Sequence, residues 1–127
     1  MNEEAIIKVI LDEAFYVHKE IGPGMLEKVY QHCLAYRLSE KRGLFVEIEK
    51  PIPVIFEEVS LEVGYRADIV VDKIIVIETK SIEAIADIHI ASMLTYLKFL
   101  KLRHGLILNF KSVLLKNGIK RVINGYK

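Results

Sequence analysis

At 127 residues the chain has room for one domain with a substantial core, and its 52% hydrophobic content suits either a dense core or an apolar face joining two copies as a homodimer. No apolar run reaches membrane-spanning length, the single cysteine, Cys33, excludes an internal disulfide, and the acidic start lacks the basic lead of a signal segment. A cytoplasmic protein with no membrane partner is therefore expected.

The net charge of +1 hides an asymmetry. All 17 acids lie at or before Asp87, whereas the chain from Ile88 onward carries only basic charges: Lys98, Lys101, Arg103, Lys111, Lys116, Lys120, Arg121 and Lys127. Such a split fits a protein whose first part holds cations while its last part meets a polyanion. It fits equally well two parts that interleave in the fold and average their fields.

In chain order, residues 3–20 repeat apolar side chains at helical spacing, and Ile21-Gly22-Pro23-Gly24 ends that helix. A second helix is expected over 25–41, with Leu26, Val29, Tyr30, Cys33, Leu34 and Leu38 as its stripe and Gly43 closing it. Residues 45–56 read as an extended strand that Pro51 and Pro53 confine to a sheet edge. Two runs, 67–71 and 74–77, are apolar on both faces, as central strands are. A helix over 85–102, a buried strand over 105–110, a turn at Lys116-Asn117-Gly118 and a last strand over 119–123 complete the chain. The order is α-α-β-β-β-α-β with a further β, an α/β layer fold with a mixed sheet flanked by helices.

Polar residues among the central strands need a reason. Glu78 and Lys80 share a face, because alternate strand side chains point the same way. Asp68 joins them if a three-residue connection, Asp72-Lys73-Ile74, sets it opposite Glu78, or if a bulge adds the extra residue. A two-residue Asp72-Lys73 turn would instead pair Asp68 with Ile77, and the sequence leaves both turns open. Two acids brought together here repel and lose hydration, a cost that a hard divalent cation such as Mg²⁺ (or Mn²⁺) would offset, with Lys80 placed to stabilise charge on a phosphate. The plain alternative is a solvated strand end with an ordinary Glu/Lys pair, and spacing alone weighs the two equally.

Other candidates have stronger plain readings. Glu27, in Gly24-x-x-Glu27-x-x-Tyr30, could turn toward a metal, yet an acid in a first helical turn is favoured by the helix dipole alone. His89, Ser92 and Tyr96 fall on one helix face and could touch substrate, though such residues more often find a partner within a core. No phosphate-cradling glycine loop, zinc-ligand cluster or nucleophile elbow is present.

Taken together, the segments 17–30, Gly64-Tyr65-Arg66-Ala67-Asp68, Ile77-Glu78-Thr79-Lys80, Leu94-Thr95-Tyr96-Leu97 and Leu108-Asn109-Phe110 resemble the GxxExxY proteins, small members of the PD-(D/E)xK nuclease-like superfamily. The resemblance runs over nearly the whole chain and implies a single restriction-endonuclease-like domain over 1–127. It implies Asp68 and Glu78 as Mg²⁺ or Mn²⁺ ligands with Glu27 completing the site, Lys80 as the catalytic cation, and phosphodiester hydrolysis in nucleic acid, DNA ahead of RNA. Tyr96, Ser92, His89 and Tyr30 would position the substrate. Related nucleases often carry a glutamine four residues before a tyrosine on the helix after the Glu-x-Lys strand, where this chain has Ser92 before Tyr96. A non-catalytic nucleic-acid- or protein-binding module on the same fold is the alternative, and a purely structural ion cluster a third.

Overall fold

In the computed structural model, which describes residues 1–125, apolar stripes build two helices at the start of the chain, α1 (Glu3–Ile21) and α2 (Glu27–Tyr36). Asn2 caps α1, its Oδ1 accepting the Ala5 N–H at 2.8 Å. Past Tyr36 the helix widens into a π turn, Arg37–Lys41, before leaving for the sheet.

Five strands form the main sheet in the order β1 (Val46–Pro51), β4 (Arg66–Val71), β5 (Ile75–Lys80), β6 (His104–Asn109) and β7 (Ile119–Ile123). All neighbours are antiparallel except β5 and β6, which run parallel and are joined by the crossover helix α3 (Asp87–Leu100). Helices therefore cover both faces. On one, Ile6, Ile10, Ala14, Tyr30 and Leu34 of α1 and α2 pack on Ile69, Ile75, Ile77, Leu106 and Leu108. On the other, Met93 and Leu97 of α3 pack on Val70, Val76, Ile107 and Val122. The approach of α3 is close: a Cβ at Gly105 would sit 2.6 Å from Met93 Sδ, so only glycine fits under that side chain as it stands. Burial on both faces explains why β4 and β5 read as continuous apolar runs.

The sheet also departs from expectation. The extended run over 45–56 is not one strand. Its first half is β1, at the sheet edge as the prolines require, but after Pro51 and Pro53 the chain leaves the sheet and pairs β2 (Val54–Phe56) with an unanticipated β3 (Val59–Leu61). These strands form a separate two-stranded hairpin with Ile55, Phe56 and Val59 exposed. The acidic and basic parts of the chain interleave at two surface pairs, Glu4 with Arg121 and Glu83 with Lys111. No helix among the described residues is long and apolar enough to cross a membrane.

Candidate active site

The hairpin joining β4 and β5 combines both connections that the sequence left open. Asp72 and Lys73 take left-handed φ values of 52° and 58°, and the Ile74 N–H donates to the Val71 carbonyl at 2.9 Å, a two-residue turn matched to strand twist. Pairing nevertheless resumes at Val71 opposite Ile75, which leaves Ile74 as an extra residue. With that extra residue the register runs Ile69 opposite Ile77, and one step further Asp68 stands across from Glu78.

At that step the backbone ladder stops and carboxylates replace it. The Asp68 N–H donates to Glu78 Oε2 at 3.0 Å, while the Thr79 N–H and hydroxyl donate to Asp68 Oδ2 at 2.9 and 3.1 Å. Glu78 is buried, Asp68 half-buried and Lys80 half-buried. Among the described residues the second oxygens, Asp68 Oδ1 and Glu78 Oε1, accept no hydrogen bond, and Lys80 Nζ makes neither a hydrogen bond nor an ion pair.

The electrostatics follow from that geometry. Burial, then the Asp68 charge, push the Glu78 carboxyl up to about 8; the Asp68 N–H and the Lys80 charge pull the other way, and Glu27 adds to the rise. Burial also raises Asp68, against the Thr79 bonds and Lys80, with Glu49 reinforcing it. A buried acid that holds its proton near neutrality, beside a second acid raised above its ordinary value, is what an unbalanced negative site looks like.

Glu27 reaches the same strand end from α2, its Oε2 accepting the Ser81 N–H at 3.2 Å. The loop that carries it is pinned by Tyr30, whose hydroxyl donates to the Gly22 carbonyl at 2.6 Å and accepts the Met25 N–H at 3.0 Å. Gly24 sits in that loop at φ 100°, a conformation that favours glycine. Tyr30 is itself fully buried and stacked on Phe110, centroids 4.5 Å apart. This corrects the expectation for Tyr30: with its ring covered and its hydroxyl committed, it holds the Glu27 loop and has no surface left for substrate. Asn109 plays the matching part at the other end of the loop after Lys80. Its side chain donates to the Ile82 carbonyl at 2.9 Å and accepts the Ile82 N–H at 3.1 Å. The glycine, the tyrosine and the Leu108-Asn109-Phe110 segment thus have a shared physical role, which is to fix the rims of one site.

On α3, Tyr96 is half-buried against the α3 face of the sheet, and its hydroxyl is raised first by burial and then by the Glu78 charge, with Tyr65 and Asp68 contributing. Ser92 lines the same flank. His89 does something else: its Nδ1 accepts the Ala86 N–H at 2.8 Å and so caps the start of α3. That bond ties down the ring nitrogen nearer the backbone and gives His89 a capping role.

Two contributors were not anticipated. Glu49, on β1, adopts φ 55° and breaks the strand's alternation, turning its carboxylate to Lys28 and Gln31 of α2. Those two donors hold Glu49 below the usual carboxylate range. Gln31 is buried and also donates to the Asp68 carbonyl at 2.9 Å, so it clamps the backbone of the site residue. A glutamine beside Tyr30 in an apolar stripe was the available signal for Gln31. Glu49 had none, since its role depends on a left-handed backbone that its residue type does not announce.

Among the described residues no three histidine, cysteine, aspartate or glutamate side chains gather as a set able to hold a metal ion. The donor chemistry of the pair still fits a hard ion such as Mg²⁺, which keeps several waters and needs only one or two carboxylates; Asp68 Oδ1 and Glu78 Oε1 are the oxygens left for it.

An acid pair and a lysine at the parted end of a central hairpin, on a mixed sheet between helices, define a nuclease-type fold. Residues 4–122 match the PD-(D/E)XK nuclease superfamily, and the chain belongs to that family. Nucleases of this superfamily generally use divalent metals and act on nucleic acid. No curated protein and no solved structure matches the chain.

Proposed function

We propose that the chain is a Mg²⁺- or Mn²⁺-dependent nuclease of the GxxExxY type that hydrolyses phosphodiester bonds in nucleic acid. One observation carries this reading: a buried and a half-buried carboxyl meet, each raised above its ordinary value and each with an oxygen to spare, beside an unpaired lysine. Neither burial nor mutual repulsion favours that arrangement unless something positive arrives.

Asp68 and Glu78 would hold the metal through their spare oxygens, and Glu27 would complete or tune the site from the strand end. The bound ion would neutralise the pair and polarise the phosphoryl oxygens. Lys80 carries a donor with no competing partner among the described residues, so it can bond the attacking water or a phosphate oxygen as charge develops there. Tyr96 brings a hydroxyl to the same charges. Lys28 is committed to Glu49, and Lys111 to Glu83; both line an open groove of about 520 Å³ on the Glu27 side, where a phosphate backbone could exchange with those surface acids.

The test is cleavage of a panel of DNA and RNA substrates in Mn²⁺ and Mg²⁺ by the wild type and by Lys80→Ala. Loss of metal-dependent cleavage by roughly a hundredfold or more, with the circular dichroism spectrum retained, is expected. Cleavage that Lys80→Ala leaves unchanged would remove the role given to Lys80. The absence of a third gathered ligand favours a second reading, a binding module that retains the fold. Salt-sensitive nucleic-acid binding with no cleavage over the panel is its signature.

A further inference from the structure

On the α3 side of the sheet lies a groove of about 310 Å³ that hydrolysis by itself does not explain. It runs between α3 and the chain around β2, is lined among others by Ile52, Tyr65, Ser92, Thr95, Tyr96 and Phe99, and no charged side chain lines it. Its distinctive feature is an aromatic corner: the Tyr65 and Tyr96 rings have centroids 6.3 Å apart and planes inclined at 44°. A base sandwiched between parallel rings needs about 6.8 Å, twice the ~3.4 Å stacking repeat, so these rings are too close and too tilted to sandwich one. They suit a planar group packed against one ring face and bordered by the other.

Position decides what that planar group is. Tyr96 belongs to the groove and packs on the sheet face that carries Val70 and Val76, and Asp68 and Glu78, two residues along the same strands, alternate onto that face, so the groove and the acid pair share one side of the sheet. An apolar aromatic corner on the same sheet face as the acid pair matches the pattern of a nucleotide, a flat base joined to an anionic backbone. Bases within a duplex show only their edges; a ring face becomes available to tyrosine when the base is unpaired.

We infer that this groove receives an unpaired nucleobase next to the scissile phosphate, so that the substrate class is single-stranded nucleic acid or a strand end with unpaired bases. The inference rests on the nuclease reading for the identity of the polymer. Tyr65 is the specificity-determining side chain, because it contributes a ring face and takes no part in the chemistry.

The experiment is a fluorescence titration of the full chain, in EDTA at low salt, against a single strand of about ten nucleotides carrying one 2-aminopurine, and against the same strand annealed to its complement. Quenching of the single strand with about tenfold tighter binding than the duplex is expected; Tyr65→Leu should lose roughly tenfold on the single strand, and Tyr65→Trp should restore it. Tyr65 is 54% exposed, so neither substitution threatens the fold. Equal affinity for single strand and duplex overturns the inference, as does single-strand binding indifferent to Tyr65→Leu. Sedimentation showing a second copy of the chain lying over Tyr65 overturns it too. Tyr65-dependent quenching without cleavage in Mn²⁺ would keep the groove assignment and defeat the nuclease reading. Cleavage blind to both Tyr65 and strandedness would do the reverse.

Discussion

Glu13 and Glu78 are both buried glutamates, 5% and 7% exposed, and the chain treats them in opposite ways. Glu13, on α1, is gripped by Arg37 Nε and Arg42 Nε, each at 2.7 Å. Burial would raise its carboxyl, but the two guanidinium bonds outweigh burial and hold it below the usual carboxylate range. Glu78 receives a backbone N–H and no ion pair, and it rises to about 8. At equal burial, the difference is where the cations are placed. A paired acid belongs to the scaffold, whereas an unpaired one beside a second acid stores an unmet demand for positive charge.

The largest effect should come from pH. Unfolded Glu78 titrates near 4.5 and folded Glu78 near 8, so the folded chain keeps a proton that the unfolded chain has released. Metal-free stability is then greatest below about pH 4.5 as far as this group is concerned and falls as pH rises from there to about 8, by up to about 5 kcal/mol, with Asp68 acting in the same direction. Urea midpoints in EDTA should decline over that window, and Glu78→Gln should flatten the decline and raise the midpoint at pH 8. A flat wild-type profile would erase the contrast with Glu13.

The mirror experiment is Glu13→Gln, which leaves Arg37 and Arg42 without their shared partner. A loss of about 3 kcal/mol is expected, at the lower end for a broken buried pair because the guanidinium groups are partly exposed, with no change in metal affinity. Mn²⁺ sharpens the comparison from the other side. At a hundredfold excess over its Kd it should add about 2.7 kcal/mol at pH 8, seen as a higher denaturation midpoint, and Asp68→Ala should abolish the gain. Tyr30→Phe should cost roughly 1 to 2 kcal/mol, since it strands the Gly22 carbonyl and the Met25 N–H, and it should weaken Mn²⁺ binding only through looser placement of Glu27.

The elements that periodicity controls were legible beforehand. Apolar runs on both faces identified the central hairpin, helical stripes identified α1, α2 and α3, and two prolines put β1 at an edge. The co-facial acids hinged on a turn the sequence left open, because Asp72-Lys73 turns and adds Ile74 as an unpaired residue at once. The role of Tyr30 was misread and the capping bond of His89 was missed for a common reason. A polar tip on a helix reads the same in sequence whether it meets substrate or a backbone group nearby, and here both tips meet backbone. Glu49 and the β2–β3 hairpin depend on backbone conformations and pairings that residue type does not encode locally.

The parting of β4 from β5 at Asp68 has a consequence for descent. The carboxylates of Asp68 and Glu78 close the sheet where backbone pairing ends, receiving the N–H groups of Thr79 and Asp68. Selection for folding would therefore keep an acceptor oxygen at both positions, though not its charge, in a lineage that had abandoned hydrolysis. Lys80 has no such second duty among the described residues and would be the first to drift. In related chains, the lysine and the charge of the pair should mark retained chemistry, while an acceptor oxygen at positions 68 and 78 marks only shared ancestry of the sheet.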